Sequence, residues 1–117
     1  MHEYSVVRAL IAQAVQAAEP SPASSICTVR VCCGPLSGVE PLLVRVAFDQ
    51  LKADVGLNNC ELRIEEQPLL ARCHNCDAEF EVVGFCFHCS QCQSTSIQVV
   101  QGDQFRLDSL EVLDEVS

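Results

Sequence analysis

The chain has 117 residues, a formal net charge of −9 from 16 acidic and 7 basic residues, and 49% hydrophobic residues. This composition indicates a globular chain with an aliphatic core, and the lack of a basic cluster argues against nucleic-acid binding, whose affinity comes mainly from Lys and Arg. No segment approaches the roughly 20 consecutive apolar residues of a membrane span, and the first residues lack a secretory signal pattern, so we expect a cytoplasmic protein.

The hydrophobic pattern predicts an α+β fold that begins with a helix, a strand, a second helix and a second strand. Apolar residues recur at helical spacing over 3–19, and Pro20 ends that pattern. The segment 24–34 alternates apolar and polar residues, as a strand with one buried face does. The same criteria predict a helix over 39–53 and a strand over 60–67.

Two further strands are predicted after a cysteine-rich module, over 96–102 and 104–112. In the last strand the apolar residues change parity, which predicts a bulge near Asp108 and Ser109. We therefore expect the module to interrupt a domain of two helices and a sheet of about three strands, which the last strand rejoins. The predicted domains are residues 1–70 plus 103–117, and a ribbon of residues 71–102.

Two C-x-x-C pairs separated by 12 residues form the strongest motif, Cys73 with Cys76 and Cys89 with Cys92. Two such turns can hold one metal ion between four thiolates, the tetrahedral geometry of structural zinc. An iron–sulfur centre uses the same ligand type and is the minor alternative. Cys86 makes a competing pair with Cys89, but we prefer Cys92 because Cys86 lies between two phenylalanines, as a buried strand residue would.

Two histidines, His74 and His88, lie next to cysteines of the motif. The simpler interpretation is that both are exposed neighbours, and the alternative is that one exchanges with a thiolate as pH changes. A four-cysteine zinc has no open coordination position, and we find no Ser-His-Asp set and no phosphate loop. The sequence therefore does not predict an enzyme.

A third histidine, His2, directly follows Met1, where chain ends commonly fray. If Met1 is retained, its amine, the amide nitrogen and imidazole of His2, and the amide nitrogen of Glu3 can bind one metal ion in a plane. Strong in-plane nitrogen donors of this kind favour Ni(II) and Cu(II). The residues alone leave open the simpler interpretation, a frayed end whose second residue happens to be histidine.

Several features combine into a resemblance to a known family: Met1-His2-Glu3 before an amphipathic helix, the segment Gly34 to Glu40, and the paired C-x-x-C motif before QGDQFRLDSLEV. Together they resemble the HypA/HybF family of hydrogenase nickel-incorporation metallochaperones over essentially the whole chain. The resemblance implies nickel binding at His2 with Glu3 and the terminal amine, and structural zinc on the four motif cysteines. It also implies work alongside a HypB-type nickel GTPase and delivery of Ni(II) to the large subunit of NiFe-hydrogenase, or in some organisms for urease maturation.

Some residues depart from this family pattern or have two interpretations. Cys86 and the pair Cys32-Cys33 are not part of the family's metal motif, so their roles stay open. The default interpretation of Cys27 and Cys33 is that they are buried small apolar residues. Glu40 lies where the family often carries an acidic residue near the nickel terminus. The segment from Ser37 to Glu40 also has the form of a helix capping box, which we prefer over a metal role for Glu40.

Two other functions compete with the nickel hypothesis. A zinc-ribbon interaction module without a nickel role would be expected to carry basic residues on the ribbon, whereas this ribbon is acidic. A redox protein that works through C-x-x-C would need its cysteines free to cycle between thiol and disulfide.

Overall fold

The computed structural model describes residues 2–113, without the side chain of His2. It contains two α-helices, α1 (His2–Ala18) and α2 (Pro41–Leu51), and two short 3₁₀ turns at Ala23–Ser25 and Lys52–Val55. Six strands are present: β1 (Ile26–Cys33), β2 (Glu61–Glu66), β3 (Leu70–Cys73), β4 (Glu79–Glu81), β5 (Ile97–Gln101) and β6 (Phe105–Val112).

The first sheet has the order β2-β1-β6, with β1 parallel to β2 and antiparallel to β6. Parallel neighbours need a crossover connection, which α2 provides between β1 and β2. The main core joins both helices to this sheet and includes Val7, Leu10, Ile11, Ala14, Val29, Val31, Val44, Phe48 and Leu62. The predicted α+β fold, with a sheet of three strands that the last strand rejoins, is confirmed.

The beginning of α2 differs from the predicted capping box. The helix starts at Pro41, Glu40 occupies the N-cap position, and the Glu40 side chain makes no capping hydrogen bond. The Ser37 hydroxyl instead accepts a hydrogen bond of 3.3 Å from the Val39 amide. A capping box would require Gly38 to be helical, but its φ of 76° is left-handed. The capping-box interpretation is therefore wrong.

Two register shifts between β1 and β6 determine which side chains reach the core. Arg30 pairs with Ser109 and Val31 with Leu107, so Asp108 is an extra residue on β6, which confirms the predicted bulge. A second shift, between Ile26 and Thr28, leaves Cys27 as an extra residue on β1. This shift brings Ile26 into the core in place of Cys27, which the alternating sequence pattern had put on the buried face.

The second sheet belongs to the ribbon and has the order β4-β3-β5, with both pairings antiparallel. Its small core consists of buried Leu69, Ala71 and Val82, against which Phe80, Ile97 and Val99 pack. The predicted strand 96–102 corresponds to β5, whereas β3 was not predicted.

The two sheets are joined by a close backbone contact. The amide of Gly34 donates to the Gln104 carbonyl at 2.9 Å, and the amide of Leu36 donates to the Gly102 carbonyl at 2.8 Å. A Cβ on Gly34 would lie 2.2 Å from the carbonyl carbon of Gly102, so this approach requires glycine. The division into domains at residues 70 and 103 stays a prediction.

Among residues 2–113 there is no helix with the length and apolar character needed to cross a membrane.

Candidate metal centre

Four cysteine sulfurs converge at one end of the ribbon. The Sγ atoms of Cys73, Cys76, Cys89 and Cys92 all lie within 4.8 Å of one another. The Sγ atoms of Cys73 and Cys92 are 3.6 Å apart, as are those of Cys76 and Cys89. A zinc–sulfur distance of about 2.3 Å gives a sulfur–sulfur edge of ~3.8 Å in a tetrahedron. The four thiols therefore have the spacing that a tetrahedral metal ion requires.

Each C-x-x-C pair forms the same turn. In the first, the Asn75 amide donates to Cys73 Sγ at 3.3 Å, and the Asp77 amide donates to the Cys73 carbonyl at 3.0 Å. Asp77, directly after the second cysteine, has a left-handed φ of 60°. These features recur in the second turn, at Cys89, Gln91 and Gln93. The two turns face each other, so each supplies two sulfurs.

Strand pairing anchors the first turn. Cys73 is the last residue of β3, its side chain is buried, and it pairs with Ile97 of β5. The His74 amide continues this ladder by donating to the Ser96 carbonyl at 2.9 Å. Cys76, in contrast, has an exposed side chain on the outer part of the turn. The sheet therefore fixes the position of Cys73, one of the two buried cysteines of the cluster.

Backbone amides favour the thiolate form of the second pair. A hydrogen bond from the Ser94 amide, supported by the Asn75 side-chain amide 3.6 Å away, lowers the pKa of Cys92 to about 6. The amides of Cys92 and Gln91 lower the pKa of Cys89. These donors stabilise negative sulfur before any metal ion binds.

The pKa of Cys76 is raised, in contrast to those of Cys89 and Cys92. The Ala78 amide favours its thiolate, but hydrogen bonds shared with Cys89 and the other clustered thiols dominate and raise the pKa of Cys76 to about 12. Four negative sulfurs at these distances repel one another strongly, so a proton stays in the cluster unless a cation replaces it. The site is therefore suited to a divalent cation.

Cys86 lies outside the sulfur cluster. Strand β4 ends at Glu81, and the chain then turns so that Cys86 is exposed and its amide donates to the Val83 carbonyl at 3.2 Å. The expectation that Cys86 is a buried strand residue is wrong, because Gly84 and Phe85 both have left-handed φ values that bend the chain. The cluster nevertheless contains the pair that the sequence favoured, Cys89 with Cys92.

The histidines beside the motif do not join the four sulfurs. Both His74 and His88 have exposed side chains, which fits the interpretation that they are solvent-facing neighbours. The idea that either exchanges with a thiolate stays a prediction.

The residues predicted to bind nickel lie at the limit of the described structure. Met1 and the side chain of His2 are outside the described residues, and α1 begins at His2. Glu3 lies in the first turn of α1. Glu40 is exposed and lines a cavity of about 260 Å³, together with Cys33 and Glu66.

Comparisons with known proteins cover nearly the whole chain. The family model described as "Hydrogenase/urease nickel incorporation, metallochaperone, hypA" matches residues 1–112. The protein named hydrogenase maturation factor HypA from Shewanella baltica is 40% identical over 112 residues, which cover 96% of both chains. Its namesake from Wolinella succinogenes is 39% identical over 113 residues, or 96% of this chain and 95% of the relative.

Solved structures give the same result. The solution structure of the Ni metallochaperone HypA from Helicobacter pylori has a TM-score of 0.70 at 30% identity, and the match covers 97% of this chain and 98% of that one. Another solution structure, titled HypA protein, has a TM-score of 0.74 at 32% identity, with 98% of each chain covered. The chain described here therefore belongs to the HypA family of hydrogenase and urease nickel-incorporation metallochaperones.

Proposed function

We propose that this chain binds Ni(II) at its N-terminus and delivers it for maturation of NiFe-hydrogenase, while zinc bound by the four cysteines stabilises the ribbon. The main support is the family match, which spans residues 1–112 and so includes both the terminus and the cysteine motif. The chain acts as a metal carrier in this proposal, without a catalytic site.

Zinc suits the cysteine cluster because four thiolates at tetrahedral spacing are a preferred ligand set for this ion. Cys73, Cys76, Cys89 and Cys92 would fill every coordination position, which is typical of a structural site. The ribbon core has three buried hydrophobic residues among those described, a small number for an independently stable fold. Metal binding would add the free energy that this core does not supply.

Nickel suits the terminus because nitrogen donors lie close together there. The proposed ligands are the Met1 amine, the amide and imidazole nitrogens of His2, and the amide nitrogen of Glu3. The first amides of an α-helix have no acceptor within the helix, and α1 begins at His2. Deprotonating these amides to bind Ni(II) therefore breaks no helical hydrogen bond, and each ligand can be displaced in turn during transfer.

Glu40 is a candidate additional nickel ligand. Its carboxylate is exposed and does not cap α2, so it is not committed to a role in helix formation. His74 and His88 are retained only as candidate switch residues beside zinc.

The partners in this proposal are a HypB-type nickel GTPase, the large subunit of NiFe-hydrogenase and, as a further recipient, urease maturation proteins. The net charge of −9 makes nucleic acid an unfavourable partner. The cytoplasm is the proposed location, because the proposed partners act there.

Nickel titration of the chain with its natural terminus tests this function. His2→Ala removes the imidazole, and one extra residue before Met1 displaces the amine, so either change should abolish nickel binding in isothermal titration calorimetry. Metal analysis should find zinc unchanged in both variants. His88→Ala is the matched control, because it removes an exposed histidine of the ribbon. If nickel affinity survives both terminal changes, the proposed site is wrong, and a chain that binds only zinc would favour the interaction-module alternative.

A further inference from the structure

The ribbon carries an exposed apolar loop between β4 and Cys89, and we call residues 83–87 the ribbon tip. The side chains of Val83, Phe85 and Phe87 are 70%, 61% and 39% exposed. The Phe85 and Phe87 ring centroids are 6.3 Å apart, so the two rings form one apolar surface. None of these three side chains belongs to the ribbon core. The preceding residue, Val82, is the nearest one along the chain that does.

The backbone of the ribbon tip is held in a tight turn of the type I′ kind. The Cys86 amide donates to the Val83 carbonyl at 3.2 Å, and both central residues have positive φ, 64° at Gly84 and 56° at Phe85. Glycine adopts this conformation freely, whereas a bulky L-residue such as phenylalanine does so at a cost. The turn would form more easily with glycine at position 85, so folding alone does not account for the aromatic side chain.

Both ends of the ribbon tip are fixed. The Val82 amide donates to the Leu69 carbonyl at 2.8 Å, and the Val82 side chain is buried. Two residues after Phe87, Cys89 joins the sulfur cluster. The aromatic side chains are thus presented from a short loop with little freedom, and a preorganised loop loses little entropy when it binds.

The charge of the ribbon indicates what kind of partner fits the ribbon tip. Residues 71–102 contain three acidic side chains, Asp77, Glu79 and Glu81, and a single basic one, Arg72, which pairs with Glu79 at 3.3 Å. Zinc held by the four thiolates would leave a site with further negative charge. A second copy of this acidic chain would be repelled, whereas a surface with Lys and Arg would be attracted.

We propose that the ribbon tip is the docking site for a partner protein, with Phe85 and Phe87 inserted into an apolar pocket whose rim is basic. This inference rests on the proposed function, since the partner is a protein that meets the chain during nickel delivery. Exposed aromatic anchors on a rigid loop, surrounded by complementary charge, are typical of side chains that contribute most of the binding energy at an interface.

A pair of substitutions separates docking from folding. Phe85→Gly removes the ring and suits the left-handed turn, so the thermal unfolding midpoint should not fall, and Phe87→Ser removes the second ring. The control is Leu42→Ser on α2, where the side chain is 71% exposed. The probes are the HypB-type GTPase and the hydrogenase large-subunit precursor from the same organism, each titrated in a calorimeter.

We expect the double ribbon-tip variant to bind one of these two proteins about tenfold or more weakly, while Leu42→Ser keeps full affinity. Added salt should weaken binding of the unmodified chain to that partner in the same titration. Unchanged affinity of the double variant for both probes would overturn the proposal. So would an equal loss in Leu42→Ser, or a change in the chain's own oligomeric state when the ribbon tip is replaced. A nickel titration of the same variant keeps the two proposals apart, because the ribbon-tip changes should leave terminal nickel binding intact.

Discussion

Individual cysteines outside the sulfur cluster differ in burial and therefore in chemistry. Cys32, Cys33 and Cys60 are each 3% exposed, whereas Cys27 is half-buried and Cys86 is exposed. Burial raises the pKa of Cys32 and of Cys60, which keeps both sulfurs as neutral thiols at neutral pH. The buried thiols therefore act as small core side chains, which fits the expected role of Cys33 but not that of Cys27.

Thiol labelling should follow this order of exposure. In the zinc-loaded chain, brief treatment with a maleimide should modify Cys86 first, because its side chain is exposed and lies outside the sulfur cluster. Cys32 and Cys60 should react only after unfolding, because they are buried and their pKa values are raised. Peptide mass spectrometry measures the modified sites, and Cys86→Ser is the control. Labelling of Cys32 as fast as Cys86 would contradict this burial.

At the scale of elements, one edge of the first sheet is covered by a side chain. β2 is an outer strand, and the Arg45 guanidinium of α2 donates to the Leu62 carbonyl at 2.9 Å. Outer strands present unpaired backbone groups that can recruit another chain, and a charged side chain at the edge opposes this. The contact thus holds α2 to β2 and also protects the sheet.

Replacing Arg45 with Met keeps most of the aliphatic stem but removes the donor to Leu62. We expect the free energy of unfolding to fall by about 1 kcal/mol, and self-association to increase. Chemical denaturation and light scattering measure the two effects. Arg63→Met is the matched control. Arg63 lies on β2, the strand that Arg45 contacts, but its own side chain pairs with the exposed Glu61. Equal stability and equal association in the two variants would show that the Arg45 contact does not matter.

An ion pair between β1 and β6 gives a pH dependence. The Arg30 guanidinium lies 2.8 Å from the Glu111 carboxylate and lowers the pKa of that carboxyl below its ordinary value of 4.5. Because the folded-state pKa is the lower one, the stabilisation is present above about pH 4.5 and disappears as pH falls through the folded-state value.

Glu111→Gln should therefore lower the unfolding midpoint slightly at pH 7 and have no effect in strong acid. The effect should be small, since both side chains are exposed to solvent and salt. Thermal denaturation across this pH range tests the difference, with Glu61→Gln as a control on β2. A difference that grows as the pH is lowered would have the wrong sign.

At the scale of the whole molecule, the glycine junction connects the first sheet to the ribbon. Gly34 follows β1 and contacts Gly102, which follows β5, so the ends of strands from both sheets meet there. The Gln67 amide adds a hydrogen bond of 3.0 Å to the Cys33 carbonyl beside them. Backbone groups dominate this contact, so side-chain flexibility cannot relieve a clash there.

Gly34→Ala should separate the junction, because the new methyl group would lie 2.2 Å from the Gly102 carbonyl carbon. We expect a loss of about 2 kcal/mol or more in the free energy of unfolding, and amide NMR shifts in both sheets. Gly56→Ala is the control, since φ there is +84° but no atom lies within 4 Å of a new Cβ. Gly56→Ala should lower the free energy of unfolding by only about 1 kcal/mol and shift the NMR signals of nearby amides only. Shifts confined to one sheet in Gly34→Ala would contradict the junction's role.

The sequence predicted the elements that have a long periodic pattern of hydrophobic residues. It did not predict an element that forms by pairing with a distant segment of the chain. Both helices, and the strands over 60–67 and 104–112, follow from hydrophobic spacing. β3 has four residues, too few for a pattern, and is stabilised by pairing with β5, far along the chain. The capping box at Glu40 and the burial of Cys86 failed because left-handed residues nearby change the chain direction.

At the candidate metal centre, the sequence predicted the four sulfurs that meet. The ligand spacing alone also permitted Cys86 with Cys89, and the reason for preferring Cys92, the burial of Cys86, was wrong. The sequence could not indicate that the Ser94 amide stabilises the Cys92 thiolate, because that hydrogen bond depends on the folded turn. The exposed aromatic pair of the ribbon tip was missed for a similar reason. Phe85 and Phe87 have the composition of a core segment, and only the turn at Gly84 directs them outward.

The pairing of β1 with β6 also determines the order in which the parts of the molecule can form. β1 ends at Cys33 and its neighbour β6 begins at Phe105, so the first sheet cannot be completed until the ribbon has left the ribosome. The four clustered cysteines are synthesised before β6, so a metal ion bound by them would fold the ribbon while one edge of β1 is still open. A folded ribbon shortens the flexible connection that must close between β1 and β6, which lowers the entropy cost of closure. If zinc binds as proposed, metal supply during synthesis would therefore affect how early the first sheet can be completed.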